Sequence, residues 1–208
     1  MARRKNPLSG RMRRQLIAAA VLLLIGLIAA QRLGYLPQPT TPTTQTPLPA
    51  GDFARYHAQE FTVAQVVDGD TLDLDIPDGN QPHTRVRLWG VDTPETVAPN
   101  RPKGYFGTEA SAFTKRTTLQ KRVRVELEPT KAPRDRYKRL LAYIYLPDGK
   151  MLNEELLRQG YAYADERFKH QYFEQFLDLE KQAQRSGAGL WQGAKFSDYP
   201  EWYQKRHR

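Results

Sequence analysis

The sequence predicts an α+β fold in which a small five-stranded β-barrel is packed by about three helices. Three observations support this class. Five short segments alternate apolar and polar residues as half-buried strands do, a helical pattern follows the third segment, and two further helical patterns follow the fifth. The strand count alone also allows an SH3-like barrel.

The first two predicted strands, 63–67 and 72–76, flank Asp68-Gly69. This pattern indicates a hairpin whose glycine supplies a backbone geometry that other residues resist. The other predicted elements are strands 84–89, 123–127 and 140–146 and helices 108–119, 151–159 and 171–185.

Composition divides the chain into four segments. They are a basic N-terminus with a transmembrane segment (1–36), a Pro/Thr-rich linker (37–52), the barrel domain (53–195) and a basic C-terminal tail (196–208). Residues 16–30 contain no polar side chain. This apolar run is shorter than a full membrane span, which needs about 20 residues. A poor cleavage site favours an uncleaved anchor, with secretion after signal cleavage as the alternative. Either outcome places the domain outside the cytoplasm.

The formal net charge of +9 is concentrated near the two ends of the chain. Within the central region, residues 115–139 carry a local excess of Lys and Arg. That excess indicates either a phosphate-backbone contact or an ordinary solvated basic face. The absence of cysteine excludes disulfides, thiolate chemistry and zinc–thiolate sites.

Four carboxylates and one arginine are predicted at strand ends and turns: Asp68, Asp70, Arg87, Asp92 and Glu95. Carboxylates that meet in this way repel one another unless positive charge lies between them. A hard divalent cation with oxygen ligands would meet this need, and Ca²⁺ tolerates the irregular geometry of such loops.

Several ordered blocks carry a resemblance to a known family: VDGDT at 67–71, RLWGVDTPE at 87–95, GTEASAFTK at 107–115, RLLAYIY at 139–145, DGKMLNE at 148–154 and RQG at 158–160. Over about residues 61–191 the sequence resembles the staphylococcal nuclease-like thermonucleases. This resemblance implies an OB-fold barrel and Ca²⁺-dependent cleavage of nucleic acid.

The resemblance also assigns roles to individual residues. It implies Asp70, Asp92 and the backbone carbonyl of Thr93 as Ca²⁺ ligands. It implies that Glu95 positions or activates the attacking water, directly or through the metal.

Two arginines, Arg87 and Arg139, would bind the phosphate with a fork geometry that lysine cannot reproduce. Asp68 is expected to orient the site, with an Asx-turn role in the hairpin as the alternative. Arg136 and Tyr137 resemble the family's loop that contacts the terminal phosphate of a nucleotide. Lys138 replaces the family's usual glycine, so a positive φ there would cost strain.

No base-stacking aromatic is assigned. Tyr161, Tyr163 and Phe168 are candidates, and core packing is expected for at least two of them. The main hypothesis is a monomeric, membrane-tethered endonuclease that uses Ca²⁺ to hydrolyse DNA and RNA with little sequence preference. The resemblance implies cleavage of the 5′ P–O bond, leaving 3′-phosphates. The alternatives are a non-catalytic OB-fold module for single-stranded nucleic acid and an envelope protein that binds anionic polymers.

Overall fold

The structure, a computed structural model, describes Gln15, residues 50–96 and residues 104–208. In chain order, the helices and strands are α1 (Ala50–Tyr56), β1 (Gln59–Asp68), β2 (Thr71–Leu74), β3 (Thr84–Leu88), β4 (Val91–Asp92), α2 (Gly107–Thr118), β5 (Arg122–Leu127), β6 (Leu140–Tyr145), α3 (Leu152–Arg158), β7 (Tyr163–Ala164), α4 (Phe173–Ser186) and α5 (Glu201–Arg206). Two short 3-10 helices, Gly189–Gln192 and Phe196–Asp198, lie between α4 and α5.

Five strands close into a barrel in the order β1-β2-β3-β6-β5, and β5 pairs back onto β1. All neighbouring strands are antiparallel except β3 and β6, which run parallel. Strand β3 shows the alternation that builds the core: Thr84, Val86 and Leu88 are buried, whereas Arg85 and Arg87 point outward. The predicted α+β barrel is confirmed, its strand order fits an OB-fold, and α2, α3 and α4 match the three predicted helices.

A buried amide on α3 fixes the turn that leads from β3 to β4. The Asn153 side chain accepts a hydrogen bond from the Ile144 N–H at 3.1 Å and donates one to the Trp89 carbonyl at 2.9 Å. The next residue, Gly90, has φ +75°, and a Cβ there would lie 2.5 Å from the His170 ring nitrogen. Glycine is therefore required at position 90, because φ is positive there and because a side chain would not fit. This turn fixes the direction in which the chain continues into β4.

The first barrel-packing helix begins inside the segment predicted as a linker. Helix α1 starts at Ala50, and its Tyr56 is fully buried with its hydroxyl 3.0 Å from that of Thr84. The prolines of 37–52 predicted an extended linker, but Phe53 and Tyr56, three positions apart, share one face of a helix. The rest of the linker and the predicted transmembrane segment lie outside the described residues. No helix among the described residues has the length and apolar character needed to cross a membrane.

Residues 196–208, which the sequence analysis treated as a basic tail, pack against the domain. Tyr203 on α5 is only 3% exposed and lies in a second small core with Tyr163. Lys205 and Arg206 remain exposed on the same helix. Composition therefore described the outer surface of this segment correctly but did not reveal its buried face.

Glu180 on α4 is a buried carboxyl that pairs with no cation among the described residues. It is 3% exposed, and its Oε1 accepts a hydrogen bond from the Ala164 N–H at 3.1 Å. Burial raises the pKa of Glu180 from 4.5 to about 8, and the negative charge of Glu166 adds to this shift. Between about pH 4.5 and pH 8, the folded protein therefore keeps a proton on Glu180 that the unfolded chain has released. The free energy of unfolding should fall as the pH rises from about 4.5 to 8.

We expect Glu180→Gln to raise the free energy of unfolding at pH 9 by on the order of 3 kcal/mol. The amide carries no charge and keeps an oxygen for the Ala164 N–H. At pH 4.5, where the folded wild-type carboxyl is protonated, the variant should differ little from the wild type. Urea unfolding at both pH values measures this, with Glu174→Gln as the control because the Glu174 side chain is 82% exposed on the same helix. Equal gains at both pH values would contradict the buried-carboxyl explanation.

Candidate active site

A cleft of about 830 Å³ opens where the β1–β2 hairpin, the ends of β3 and β4, and the loop before β6 meet. Eight of the nine site residues predicted from the sequence line it: Asp68, Asp70, Arg87, Asp92, Glu95, Arg136, Tyr137 and Arg139. The ninth, Thr93, is 5% exposed and is not among the residues that line the cleft. The fold thus brings residues from both halves of the domain to one surface.

Arg87, near the end of β3, joins two carboxylates. One guanidinium nitrogen contacts Asp70 and the other contacts Asp92, and the Arg87 side chain is only 15% exposed. Arg85 points outward from the same strand but pairs with Asp73 at 2.8 Å. Arg87, and not Arg85, is therefore the arginine that organises the carboxylates of the cleft.

Asp70 is held in one orientation by threonine donors. Its Oδ2 accepts hydrogen bonds from the Thr93 N–H at 2.8 Å and the Thr93 hydroxyl at 3.0 Å. Its Oδ1 accepts one from the Thr71 hydroxyl at 3.0 Å and also contacts Arg87. Thr93 thus supports Asp70 in this structure, and the predicted role of its carbonyl as a cation ligand remains a prediction.

Asp68 ties the hairpin to the loop after β4. Its Oδ1 accepts hydrogen bonds from the Gly69 N–H at 2.8 Å and the Thr96 hydroxyl at 2.6 Å. The carboxylate therefore links the turn to the loop. Its backbone partner in the turn is the next residue and not the one two positions on, so this is not the Asx turn, and orientation of the site by Asp68 remains a prediction. Gly69 is needed for a different reason from the one predicted. It lacks a positive φ, but a Cβ there would lie 2.7 Å from the Thr93 Oγ1.

Glu95 lies at the exposed rim of the cleft. Its pKa is raised above the ordinary value, first by partial burial and then by the negative charge of Asp68, while Arg87 acts in the opposite direction. A carboxylate with a raised pKa is a better base than an ordinary surface glutamate. The role of Glu95 toward the attacking water remains a prediction.

The loop that carries Arg139 is organised by Asp135. One oxygen of Asp135 accepts hydrogen bonds from the N–H groups of Tyr137 and Arg139 at 2.8 and 3.0 Å, and the other pairs with the Arg139 guanidinium at 2.7 Å. The Tyr137 ring is 62% exposed, with the Arg136 guanidinium 4.7 Å from its centre. Lys138 has φ +66°, so the strain expected at this position is present and costs about 1 kcal/mol.

Arg134 holds this loop from the side of α1. Its guanidinium contacts Asp52 of α1 at 2.6 Å and Asp78 of the β2–β3 connection at 2.5 Å, and it donates to the Lys138 carbonyl at 2.8 Å. Hydrogen bonds to Asp52 and then Asp78 hold the pKa of Arg134 well above its usual range. One side chain therefore connects α1, the β2–β3 connection and the strained residue of the Arg139 loop.

Two residues that the sequence analysis did not place in the site contact Asp92. Trp202 on α5 donates its indole N–H to the Asp92 Oδ2 at 2.7 Å, and the Arg167 guanidinium lies 3.4 Å from the same oxygen. In the sequence, one feature could have predicted this contact. The aromatic pair Trp202-Tyr203 within a charged segment indicates a helix with one packed face.

Of the three aromatic residues considered for base stacking, only Phe168 lines the cleft. It is 53% exposed, with its ring centre 5.9 Å from that of Trp89. Tyr163 is 1% exposed, and Tyr161 stacks on Phe113 at 4.6 Å. Core packing is therefore the observed role of two of the three, as expected.

The donor set of the cleft is suited to a hard cation. No group of three or more Asp, Glu, His or Cys side chains arranged for a metal occurs in the described part of the chain. Two carboxylates, Asp70 and Asp92, nevertheless converge on one guanidinium at the cleft. They fit Ca²⁺, which accepts water and backbone oxygens as its remaining ligands. Two arginines and a glutamate lie in the same cleft, and such a set of groups is suited to bind a phosphate ester beside a hard cation.

Comparison with known proteins identifies the family. Residues 85–193 match the family model described as staphylococcal nuclease homologue. The chain is 41% identical over 177 residues to a thermonuclease of Staphylococcus hyicus, which covers 84% of this chain and 97% of that protein. It is 39% identical over 135 residues to a thermonuclease of Staphylococcus intermedius, covering 64% and 77%. It is 34% identical over 134 residues to the SPbeta prophage-derived endonuclease YokF of Bacillus subtilis (strain 168), covering 64% and 44%.

The chain therefore belongs to the staphylococcal nuclease family. It is a nuclease, a hydrolase of phosphodiester bonds, and its substrates are nucleic acids.

We expect Arg134→Lys to lower both the free energy of unfolding, by about 2 kcal/mol, and the rate of cleavage. Lysine keeps the charge but cannot span two carboxylates and a carbonyl with a planar fork. Urea unfolding and a nuclease assay measure the two effects. The matched control is Arg124→Lys, because Arg124 pairs with Glu126 on the barrel surface. Unchanged cleavage by Arg134→Lys would show that the Arg139 loop keeps its shape without Arg134.

Proposed function

We propose that this nuclease is a Ca²⁺-dependent endonuclease that hydrolyses DNA and RNA with little sequence preference. The observation that carries the proposal is the Arg87 contact with both Asp70 and Asp92, in the same cleft as Glu95 and Arg139. These side chains suit the phosphodiester group, which is common to DNA and RNA, rather than the base edges that distinguish sequences.

The proposed mechanism assigns one task to each group. Arg87 and Arg139, whose guanidinium groups contact carboxylates in the free cleft, donate N–H groups to the phosphate oxygens when substrate binds and stabilise the negative charge that grows in the transition state. Glu95 accepts a proton from the water that attacks phosphorus, the bond from phosphorus to the 5′ oxygen breaks, and the leaving 5′ oxygen takes up a proton from solvent water. The products are a 3′-phosphate and a 5′-hydroxyl. Asp70 and Asp92 would hold Ca²⁺, which would supply positive charge between these carboxylates and the phosphate.

The non-catalytic alternatives have less support. A degenerate OB-fold binding module would be expected to lack an arginine or a metal carboxylate. All five of the relevant side chains are present and line one cleft: Asp70, Arg87, Asp92, Glu95 and Arg139. An envelope protein that binds anionic polymers through its basic face would not need these carboxylates.

We expect the full-length protein, in mild detergent, to cleave single-stranded DNA and RNA with Ca²⁺ and to stop when EDTA is added. Arg87→Ala and Glu95→Ala should each lower the rate by about 10²-fold or more, because each removes a group that acts in the transition state. Gel assays measure cleavage, and mass spectrometry of the fragments should show 3′-phosphate ends.

The control for these variants is Arg122→Ala. Arg122 is on β5, is 67% exposed and pairs with Glu60, so its loss should leave cleavage unchanged. Binding of nucleic acid without cleavage under every divalent cation tested would overturn the proposal and favour the binding module.

We also propose that residues 16–30 anchor the nuclease in the membrane, with the nuclease domain outside the cytoplasm. The support comes from the sequence, in which this apolar run follows a basic segment. A charge at the centre of such a run costs about 3 kcal/mol for membrane insertion.

Leu23→Arg should therefore reduce the membrane-bound fraction after cell fractionation, whereas Thr41→Arg in the linker should not. Protease added outside intact cytoplasmic membranes should digest the wild-type domain. A wild-type protein that is found only in the cytoplasmic fraction would contradict the anchor.

A further inference from the structure

The carboxylate of Asp92 is held at both of its oxygens. Its Oδ1 contacts Arg87, whereas its Oδ2 accepts the indole N–H of Trp202 at 2.7 Å and lies 3.4 Å from the Arg167 guanidinium. Trp202 comes from α5, far along the chain from β4, and the family match at residues 85–193 does not include it.

We propose that Trp202 is a positioning residue for Asp92. Helix α5 therefore contributes a side chain that orients a carboxylate of the active site. The indole N–H fixes Oδ2 and thereby the orientation of Oδ1, which contacts Arg87 at the cleft where substrate and cation would bind. This inference rests on the proposed Ca²⁺-dependent function. Groups that orient a metal ligand from behind typically change metal affinity by 10- to 100-fold when they are removed.

A neutral donor is well suited to this task. A cation at Oδ2 would fix the carboxylate equally well, but its charge would compete with a metal ion for Asp92. The charge of Arg167 is largely satisfied elsewhere, because both oxygens of Asp165 accept hydrogen bonds from its guanidinium at 2.8 Å. Trp202 thus provides the shorter contact to Asp92 without adding charge.

The position of Trp202 is set by packing that leads back to Asp92. The neighbouring Tyr203 is 3% exposed and lies with its ring centre 5.1 Å from that of Tyr163. Tyr163 is on β7 and pairs directly with Asp92 of β4 in a two-stranded sheet. Helix α5 is therefore fixed to the strand pair that carries Asp92, and the indole reaches the carboxylate from a rigid support.

The test compares Trp202→Phe with Trp191→Phe. Phenylalanine at 202 keeps an aromatic ring but removes the N–H. Trp191 packs against the same aromatic cluster, and its buried indole nitrogen has no hydrogen-bond partner among the described residues. The second variant therefore perturbs the cluster without removing a donor to the site.

Calorimetric titration with CaCl₂ on the full-length proteins should show a dissociation constant about 10-fold higher for Trp202→Phe, and within twofold of wild type for Trp191→Phe. The assigned indole N–H signal of Trp202 in wild-type NMR spectra should move during the titration. This second measurement does not depend on the stability of either variant.

Unchanged Ca²⁺ affinity in a folded Trp202→Phe, or an indole signal that Ca²⁺ does not move, would overturn this inference and leave the proposed function intact. A wild-type protein that neither binds Ca²⁺ nor needs it for cleavage would overturn the Ca²⁺ dependence itself, and this inference with it. Equal weakening in both tryptophan variants would show a structural effect of the cluster and would also overturn the positioning role.

Discussion

The charge balance around Arg87 is the constraint on which the rest of the site depends. Asp70 and Asp92 both line the cleft, and both contact the Arg87 guanidinium. Two carboxylates that share one guanidinium repel each other where little water screens them, and the positive charge of Arg87 offsets this repulsion. The arrangement is stable only if each carboxylate is held firmly, because loss of one partner would leave a partly buried charge unpaired.

The supports for these charges come from widely separated parts of the chain. Thr93 holds Asp70, Trp202 holds Asp92, and Asn153 fixes the turn from which β4 begins. Arg134 holds the loop of Arg139 in place by linking it to α1 and to the β2–β3 connection. The barrel supplies the positions of the charged groups, whereas hydrogen bonds from outside the barrel fix their orientations.

The barrel sets the positions of the charged groups and contacts from outside it set their orientations, and this difference explains what could be predicted from the sequence. Strand alternation predicted a five-stranded barrel, and charged residues at strand ends predicted the carboxylates and Arg87 of the cleft, because both signals are local. The OB-fold and the loop with Arg136, Tyr137 and Arg139 were predicted from the family resemblance. The supports were missed where burial depends on tertiary contacts: α1 follows a proline-rich linker, and Trp202 lies among exposed charges. The explanation for Gly69 also required the structure, since the close approach of Thr93 has no signal in the neighbouring sequence.

The cleft itself is nearly balanced in charge, although the whole chain carries +9. Five arginines line it against six carboxylates: Arg85, Arg87, Arg136, Arg139 and Arg167 against Asp68, Asp70, Asp92, Glu95, Asp135 and Asp165. A cleft with this balance attracts a polyanion only weakly by charge alone, whereas one divalent cation would reverse the sign of its formal charge. Under the proposed Ca²⁺ dependence, cation and nucleic acid would therefore each strengthen the binding of the other. The carboxylates that oppose substrate binding in the free cleft would then favour it through the cation that they hold.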